Sequence, residues 1–306
     1  MNTRTIINIT VAMTLISIFT SCAPSSSENQ SFSNADQNSS SIIGGVSSSV
    51  DYQKESGIVG LLMVTENDQN QQGMSICTGS LIQKNVVLTA AHCITLSASE
   101  KLVAAIVFFG PDLDAIMSEM DRNDLSHVRA VTKAIRHENY LRGVGTNNDI
   151  ALIKIQDEAP EGFKLAQLAP ATLSSSLKKG SLLTLAGFGV SSYKMNIMTR
   201  KPVGDGDGLL RRVGGMKVLS VTTTNQEMTL DQTKGKGACH GDSGGPAYLV
   251  DAKTKKNYLV GVTSRGDGTA LCDKQVIYTN TIGYNQWIAD NTKKILETVP
   301  VVVAQK

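Results

Sequence analysis

The sequence has 306 residues, of which 41% are hydrophobic and 18% are charged, and its formal net charge is +2. This composition is typical of a globular protein with a sizeable core, and the length allows one large domain or two small ones. The near-neutral charge balance argues against nucleic acid as a partner, since proteins that bind nucleic acid carry a marked excess of basic residues.

The first 21 residues have the form of a secretory signal peptide. One basic residue, Arg4, precedes an apolar run over residues 6–20, and small residues follow. The run is too short to be a good membrane-spanning helix. The segment FTSC, which ends at Cys22, also resembles a bacterial lipobox, in which that cysteine would be lipid-modified and become the first mature residue. Ordinary signal cleavage nearby is the alternative, and it would leave Cys22 as a free thiol or remove it.

The cysteine count supports export. The chain contains five cysteines, namely Cys22, Cys77, Cys93, Cys239 and Cys272. The last four predict two disulfides formed in an oxidising compartment, and the odd one is the lipobox residue. We therefore predict an exported protein that is either lipid-anchored in a bacterial cell envelope or secreted.

A polar segment separates the signal peptide from the folded region. Residues 22–41 are dominated by Ser, Asn and Gln, which cannot bury enough apolar surface to fold. They are predicted to form a flexible tether or propeptide. The sequence IIGGV then begins abruptly at Ile42. The predicted folded domain extends over residues 42–298, and a short tail follows at 299–306.

Strand-like runs dominate this domain. Short segments rich in β-branched and apolar residues predict strands at 57–65, 76–82, 85–92, 102–110, 128–135, 150–155, 182–190 and 209–213. The acidic residues between 112 and 124 suggest either a calcium site or a solvated loop. Their spacing fits no calcium template, so we predict the loop and no metal. Apolar residues from Tyr284 to Ile295 share one face of a predicted C-terminal helix.

Three motifs place chemically active residues at strand ends or in a turn. TAAHC puts His92 where a strand ends, NDIAL puts Asp149 where a strand begins, and GDSGGP sets Ser243 among glycines. Taken singly, each residue has a plain interpretation: a core histidine, a capping aspartate and a serine in a turn. Their occurrence together, in this order, favours a nucleophilic serine with a histidine base and an orienting carboxylate.

These motifs and IIGGV resemble those of the trypsin/chymotrypsin-like serine proteases, over about residues 42–297. The resemblance implies an all-β fold of two six-stranded antiparallel barrels with a C-terminal helix. It also implies that His92 is the general base, that Asp149 orients it and that Ser243 is the nucleophile. The amides of Gly241 and Ser243 would form the oxyanion hole.

The resemblance also implies the disulfide pairs Cys77–Cys93 and Cys239–Cys272. Closing the sixteen-residue separation of the first pair is worth about 3 kcal/mol in the chain-entropy model. That bridge would hold His92 in place, and the second would brace the wall of the substrate pocket.

Members of the family are activated by cleavage before a sequence like IIGGV. Here the freed ammonium group of Ile42 would pair with Asp242, a carboxylate that is costly to bury without a cation. The alternative is that IIGG is merely the start of a strand. Because Ser41 is not basic, activation by a trypsin-like enzyme is not expected, and the activating protease stays unidentified.

The resemblance places the primary substrate pocket at Gly237, Gly266 and Val276. Trypsin-like members have an aspartate where Gly237 stands, so a preference for Lys or Arg is not expected. Val276 replaces a common glycine and would narrow the pocket. We predict a small or medium apolar P1 residue, the residue on the acyl side of the cut bond. A larger aromatic, Leu or Met residue is the alternative.

Three residues on or just after the same strand as Gly266 bear on the rest of the substrate cleft. Ser264 would support the catalytic aspartate, and its strand would pair with an extended substrate. Arg265 stands where relatives usually have Trp. The family's preference for particular residues at the second and fourth substrate positions therefore cannot be carried over to this chain. The alternative to the loss of a basic preference is Asp267, which would restore some of it if it lies near the pocket entrance.

We therefore predict a serine endopeptidase that acts on protein or peptide substrates through an acyl-enzyme and needs no cofactor. One alternative is a non-catalytic binding module on the same fold, but such modules usually lack a member of the triad, and none is missing here. An esterase would share the triad without needing the peptide-binding strand. Cleavage before Ile42 would activate the enzyme and also release it from a lipid on Cys22, its only predicted link to a membrane.

Overall fold

The computed structural model describes four stretches of the chain, 42–143, 147–195, 202–266 and 271–297. The described residues therefore begin at Ile42 and include all three motifs. The predictions that lie outside them concern the signal peptide, the tether, Cys22, Asp267 and the tail.

Six antiparallel strands form the first barrel, after a two-residue strand β1 (Val46–Ser47) and a short helix α1 (Val50–Ser56). They are β2 (Ile58–Asn67), β3 (Gln72–Gln83), β4 (Val86–Thr89), β5 (Glu100–Phe108), β6 (Val128–Arg136) and β7 (Ala151–Ile155). The barrel closes in the order β2-β3-β4-β7-β6-β5. Apolar side chains from all six strands fill it, which explains the β-branched runs of the sequence.

The second barrel also has six antiparallel strands. The strands that follow β7 are β8 (Leu182–Gly187), β9 (Ser192–Met195), β10 (Pro202–Asp205), β11 (Arg211–Thr222), β12 (Glu227–Asp231), β13 (Pro246–Val250), β14 (Asn257–Gly266) and β15 (Gln275–Asn280). The ring runs β8-β11-β12-β15-β14-β13 and closes where β13 pairs with β8. Strand β1 adds to the edge of β11, and β9 and β10 form a separate pair. The predicted two-barrel fold is confirmed.

The acidic segment between the fifth and sixth strands differs from its prediction. It forms a helix, α2 (Leu113–Asp121), so the predicted solvated loop is wrong. The carboxylate of Asp112 caps this helix by accepting hydrogen bonds from the amides of Asp114 and Ala115. Leu113 and Ile116 are buried beneath it. The N-cap at Asp112 and the burial of Leu113 and Ile116 therefore stabilise a helix in this segment despite its acidic composition.

The predicted C-terminal helix is confirmed as α3 (Asn285–Leu296). Ile288 and Ile295 are buried in the core of the first barrel, and Trp287 packs against the same core. The helix that follows the second barrel in the chain thus packs on the first barrel. None of the helices in the described ranges has the length and apolar character needed to cross a membrane.

Candidate active site

A strand end, a turn and a disulfide hold His92. Strand β4 ends at Thr89, and a short 3-10 helix over Ala91–Ile94 carries the histidine. The structure contains the disulfide Cys77–Cys93, with 6.2 Å between the Cα atoms, so this turn is tied to β3.

Asp149 lies just before β7 and is almost fully buried, with 2% of its surface exposed. Its Oδ1 accepts a hydrogen bond from the backbone amide of His92 at 2.9 Å, and its Oδ2 lies 2.8 Å from Nδ1 of the ring. The hydroxyl of Ser264 donates to Oδ2 at 2.6 Å. Because a carboxylate can only accept, Nδ1 carries the proton and Nε2 is left as an acceptor.

Ser243 lies in the turn before β13 and is pressed against the first barrel. Its carbonyl accepts a hydrogen bond from the amide of Thr78 at 2.7 Å and lies 3.6 Å from the sulfur of Cys93. Gly244 permits this close approach: its φ is +79°, and a Cβ there would lie 2.1 Å from the hydroxyl of Thr89. The nucleophile turn is therefore docked on the disulfide that holds the histidine.

Among the described residues, no hydrogen bond joins the hydroxyl of Ser243 to the ring of His92. The Nε2 atom of the ring lies 3.8 Å from the sulfur of Cys93 instead. Contacts between a nucleophile and its base are often loose in unliganded enzymes and tighten when substrate binds.

The amides around Ser243 fall into two groups. Those of Asp242, Gly244 and Gly245 donate to backbone carbonyls. Those of Gly241 and Ser243 donate to no acceptor within the described part of the chain. Gly241 has a φ of +96°, which orients this stretch of backbone. Two unpaired donors two positions apart are what an oxyanion hole requires.

Asp242 is fully buried beside the nucleophile. Its two carboxylate oxygens accept hydrogen bonds from the amides of Gly189 and Cys239, each at 2.8 Å. Burial raises the pKa of this carboxyl to about 7, although the two hydrogen bonds oppose the rise. No basic side chain among the described residues forms an ion pair with it. The described part of the chain therefore supplies no cation to this buried carboxylate.

Ile42 lies close to this stretch of chain. Its side chain is fully buried in the core of the second barrel, in the same cluster as Ala238. The next residue, Ile43, accepts a hydrogen bond from the amide of Gly237 at 3.0 Å. The predicted activation segment is thus packed beside Gly237 and Ala238, four to five residues before Asp242.

A substitution at Gly189 tests how tightly the Asp242 site is built. A Cβ on Gly189 would lie 2.4 Å from two atoms of the Asp242 carboxylate. We expect Gly189→Ala to lower the free energy of unfolding by about 1 to 3 kcal/mol, because the carboxylate or the backbone must move. Urea unfolding measures this loss. Gly214→Ala is the matched control, since its Cβ would meet only the Thr184 hydroxyl, at 3.7 Å. Equal midpoints for the two variants would contradict the expectation.

Two of the predicted pocket residues are cross-strand partners. Gly266 at the end of β14 pairs with Val276 on β15, and Val276 is buried. The third, Gly237, lies against the side chain of Gln232. The predicted second disulfide, Cys239–Cys272, is present, and it joins the segment that carries Gly237 to the connection between β14 and β15.

The residue that replaces the usual Trp forms an ion pair. Arg265 binds Glu227 through both terminal guanidinium nitrogens, at 2.7 and 3.1 Å. One of these nitrogens also lies 3.4 Å from the hydroxyl of Ser264. A charged, paired side chain therefore occupies this position of the cleft.

Three residues at the site were not predicted from the sequence: Thr78, Glu227 and Gln232. Thr78 is fully buried, and its hydroxyl donates to the carbonyl of Gly241 and accepts from the amide of Phe188. The only sequence signal for Thr78 is its position after Cys77. The roles of Glu227 and Gln232 depend on contacts with distant segments, which the sequence does not reveal.

Metal ligands are scarce near the site. In the described ranges, the His, Cys, Asp and Glu side chains close enough to share an ion form two clusters. Each consists of one disulfide and the histidine beside a member of it, His92 or His240. Sulfurs that are bonded to each other are not thiolate ligands, so neither cluster is a metal site in this form.

Two six-stranded antiparallel barrels, with a histidine, a buried aspartate and a serine where they meet, define the class of serine-type endopeptidases. The chain belongs to the trypsin family, because the family model described as Trypsin matches residues 54–288.

Similar proteins agree with this assignment. The chain is 28% identical to mannan-binding lectin serine protease 1 of Mus musculus, over 71% of this chain and 31% of that protein. It is 27% identical to CLIP domain-containing serine protease B9 of Anopheles gambiae, over 76% of this chain and 59% of that protein. The chain thus spans about a third and three fifths of their lengths. The solved structure of HL collagenase has the same fold, with a TM-score of 0.62 and 24% identity, over 82% of this chain and 99% of that one.

Proposed function

We propose that the chain is a serine endopeptidase that hydrolyses protein or peptide substrates through an acyl-enzyme. The observation that carries this proposal is the contact of both Asp149 carboxylate oxygens with His92. This arrangement fixes the tautomer of the ring and leaves Nε2 to accept the proton of Ser243.

In the proposed reaction, Oγ of Ser243 attacks the substrate carbonyl carbon while Nε2 of His92 accepts its proton. The buried carboxylate of Asp149 stabilises the imidazolium that forms. The amides of Gly241 and Ser243 donate hydrogen bonds to the oxyanion. His92 then gives the proton to the leaving amine, and water attacks the acyl-enzyme by the same route.

The proposed P1 residue is small or medium and apolar. Gly237 supplies no carboxylate for Lys or Arg, and the buried Val276 narrows the pocket. The backbone of the segment from Ser264 to Gly266 would pair with an extended substrate. Beyond the pocket, the ion pair of Arg265 replaces an aromatic wall, so the substrate positions on that side would face a polar surface.

We further propose that the protein is made as a zymogen. Cleavage before Ile42 would supply the ammonium group that the buried Asp242 lacks. Residues 1–21 would act as a signal peptide, residues 22–41 as a tether or propeptide and residues 42–298 as the protease domain. The exported chain would be held by a lipid on Cys22 until the same cleavage activates and releases it.

A fluorophosphonate probe tests the proposed activity. We expect the chain cleaved before Ile42 to be labelled at Ser243, because only an activated serine hydroxyl reacts with such a probe at neutral pH. Mass spectrometry of the labelled peptide identifies the site. Ser243→Ala is the control for labelling elsewhere. A folded, cleaved chain that takes up no label would refute the enzyme proposal and favour a binding module.

A further inference from the structure

Gln232 lies beneath the glycine at the proposed pocket floor. It follows β12, and only 1% of its surface is exposed. A Cβ on Gly237 would lie 2.2 Å from Oε1 of this glutamine and 2.3 Å from its Cδ. The carboxamide thus occupies the space that the first atom of any side chain at position 237 would need.

The orientation of this carboxamide is fixed. Its Nε2 donates a hydrogen bond to the carbonyl of Cys272 at 2.7 Å, and the backbone amide of Gln232 donates to the carbonyl of Lys274 at 2.9 Å. The assignment of oxygen and nitrogen follows, because a carbonyl can accept only from the nitrogen side of the amide. The oxygen therefore faces Gly237.

That oxygen has no hydrogen-bond partner among the described residues. A buried acceptor without a partner costs on the order of 1 to 3 kcal/mol, so such atoms in a folded protein call for an explanation. A substrate side chain that reaches the pocket floor and donates a hydrogen bond would remove this cost.

We propose that Gln232 determines the primary specificity, by accepting a hydrogen bond from a short, neutral donor on the P1 side chain. This inference rests on the proposed protease activity. It keeps the small or medium size of the proposed P1 residue but replaces its apolar character with a hydrogen-bond donor. Threonine, serine and asparagine carry such donors at a size that a pocket narrowed by Val276 admits. A neutral amide oxygen offers no counter-charge, so Lys and Arg stay disfavoured.

Substrates whose P1 side chains match in size separate the effect of the hydrogen bond from the effect of side-chain size. Threonine and valine have nearly the same shape, and asparagine and leucine are of similar size, but only the first of each pair has a donor. We expect the chain cleaved before Ile42 to show kcat/KM values about tenfold higher for P1 Thr than for P1 Val. The Asn and Leu peptides should differ in the same direction.

Two variants assign the preference to Gln232. Gln232→Met keeps the length of the side chain but removes the acceptor, so it is expected to bring the Thr to Val ratio to about one or below. In Gln232→Glu, burial favours the protonated carboxyl, whose hydroxyl can donate to the carbonyl of Cys272 while the other oxygen faces Gly237. This variant is therefore expected to retain the preference for Thr. Fluorophosphonate labelling of each variant reports whether its active site is intact.

A Thr to Val ratio near one in the unmodified enzyme would overturn the inference, whether or not the variants fold. A strong Thr preference that persists in a labelled Gln232→Met variant would overturn it as well. In both cases the enzyme still hydrolyses peptides, so the proposed function stands. If no peptide is cleaved and Ser243 is not labelled, the proposed function fails, and this inference fails with it.

Discussion

Asp149→Asn is expected to lower kcat by about 10⁴-fold, a magnitude known for the equivalent change in this class of enzyme. The amide of Asn can place an NH₂ group where Oδ2 now accepts from Nδ1 of His92 at 2.8 Å. The ring would then adopt the other tautomer, with its proton on Nε2, and could no longer accept from Ser243. Hydrolysis of a peptide substrate by the chain cleaved before Ile42 measures the loss.

The same experiment needs a variant that disturbs Asp149 without removing its charge. Ser264→Ala deletes the hydroxyl that donates to Oδ2 at 2.6 Å and leaves the carboxylate in place. We expect a loss of only about tenfold in kcat, because one of several hydrogen bonds is lost. Comparable losses in the two variants would contradict the tautomer argument. Thermal unfolding checks that both are folded.

The sequence predicted the parts of the site that are local in the chain. His92 is recognisable because a β-branched run ends in small residues, and Asp149 because an alternating run begins directly after it. Both predictions depend on runs of strand-forming residues, and the structure has strands there, β4 buried at every position and β7 at all but one. The structure brings these two residues into contact although 57 positions separate them.

The parts that the sequence did not predict arise from contacts between distant segments. Gln232 is an ordinary polar residue after a strand, and only the close packing against Gly237 places it at the base of the proposed pocket. Thr78 likewise matters because its hydroxyl meets Gly241, 163 residues away. The segment 112–124 was predicted wrongly as a loop because its acidic composition hid an N-cap and a short apolar face.

The proposed activation step has a consequence for stability, which follows from Asp242. Burial raises the pKa of this carboxyl from 3.8 to about 7 in the folded, uncleaved chain. Below pH 3.8 the group is protonated in both the folded and the unfolded state. As the pH rises toward 7, the unfolded chain releases the proton first, so the folded state loses stability relative to it. The loss amounts to about 4 kcal/mol and is complete above pH 7.

Cleavage before Ile42 is expected to remove this loss. The new ammonium group would pair with Asp242 and hold the pKa of the carboxyl low, so the cleaved chain should keep its stability at pH 8. Urea unfolding between pH 5 and pH 8 measures both forms in the Ser243→Ala background, which prevents self-digestion. The cleaved form is made by placing a recognition site for a specific protease directly before Ile42.

The Asp242→Asn variant separates this carboxyl from every other titrating group. In the uncleaved chain the variant should lose the fall in stability between pH 5 and pH 8, since the group that titrates is gone. If the fall persists in Asp242→Asn, another group causes it. If uncleaved and cleaved chains with Asp242 intact depend on pH in the same way, the ammonium group does not reach Asp242, and the pairing with Ile42 is wrong. The expected result is a difference between the uncleaved and cleaved chains that grows from pH 5 to pH 7 and requires Asp242, because this carboxyl titrates over that range in the uncleaved chain.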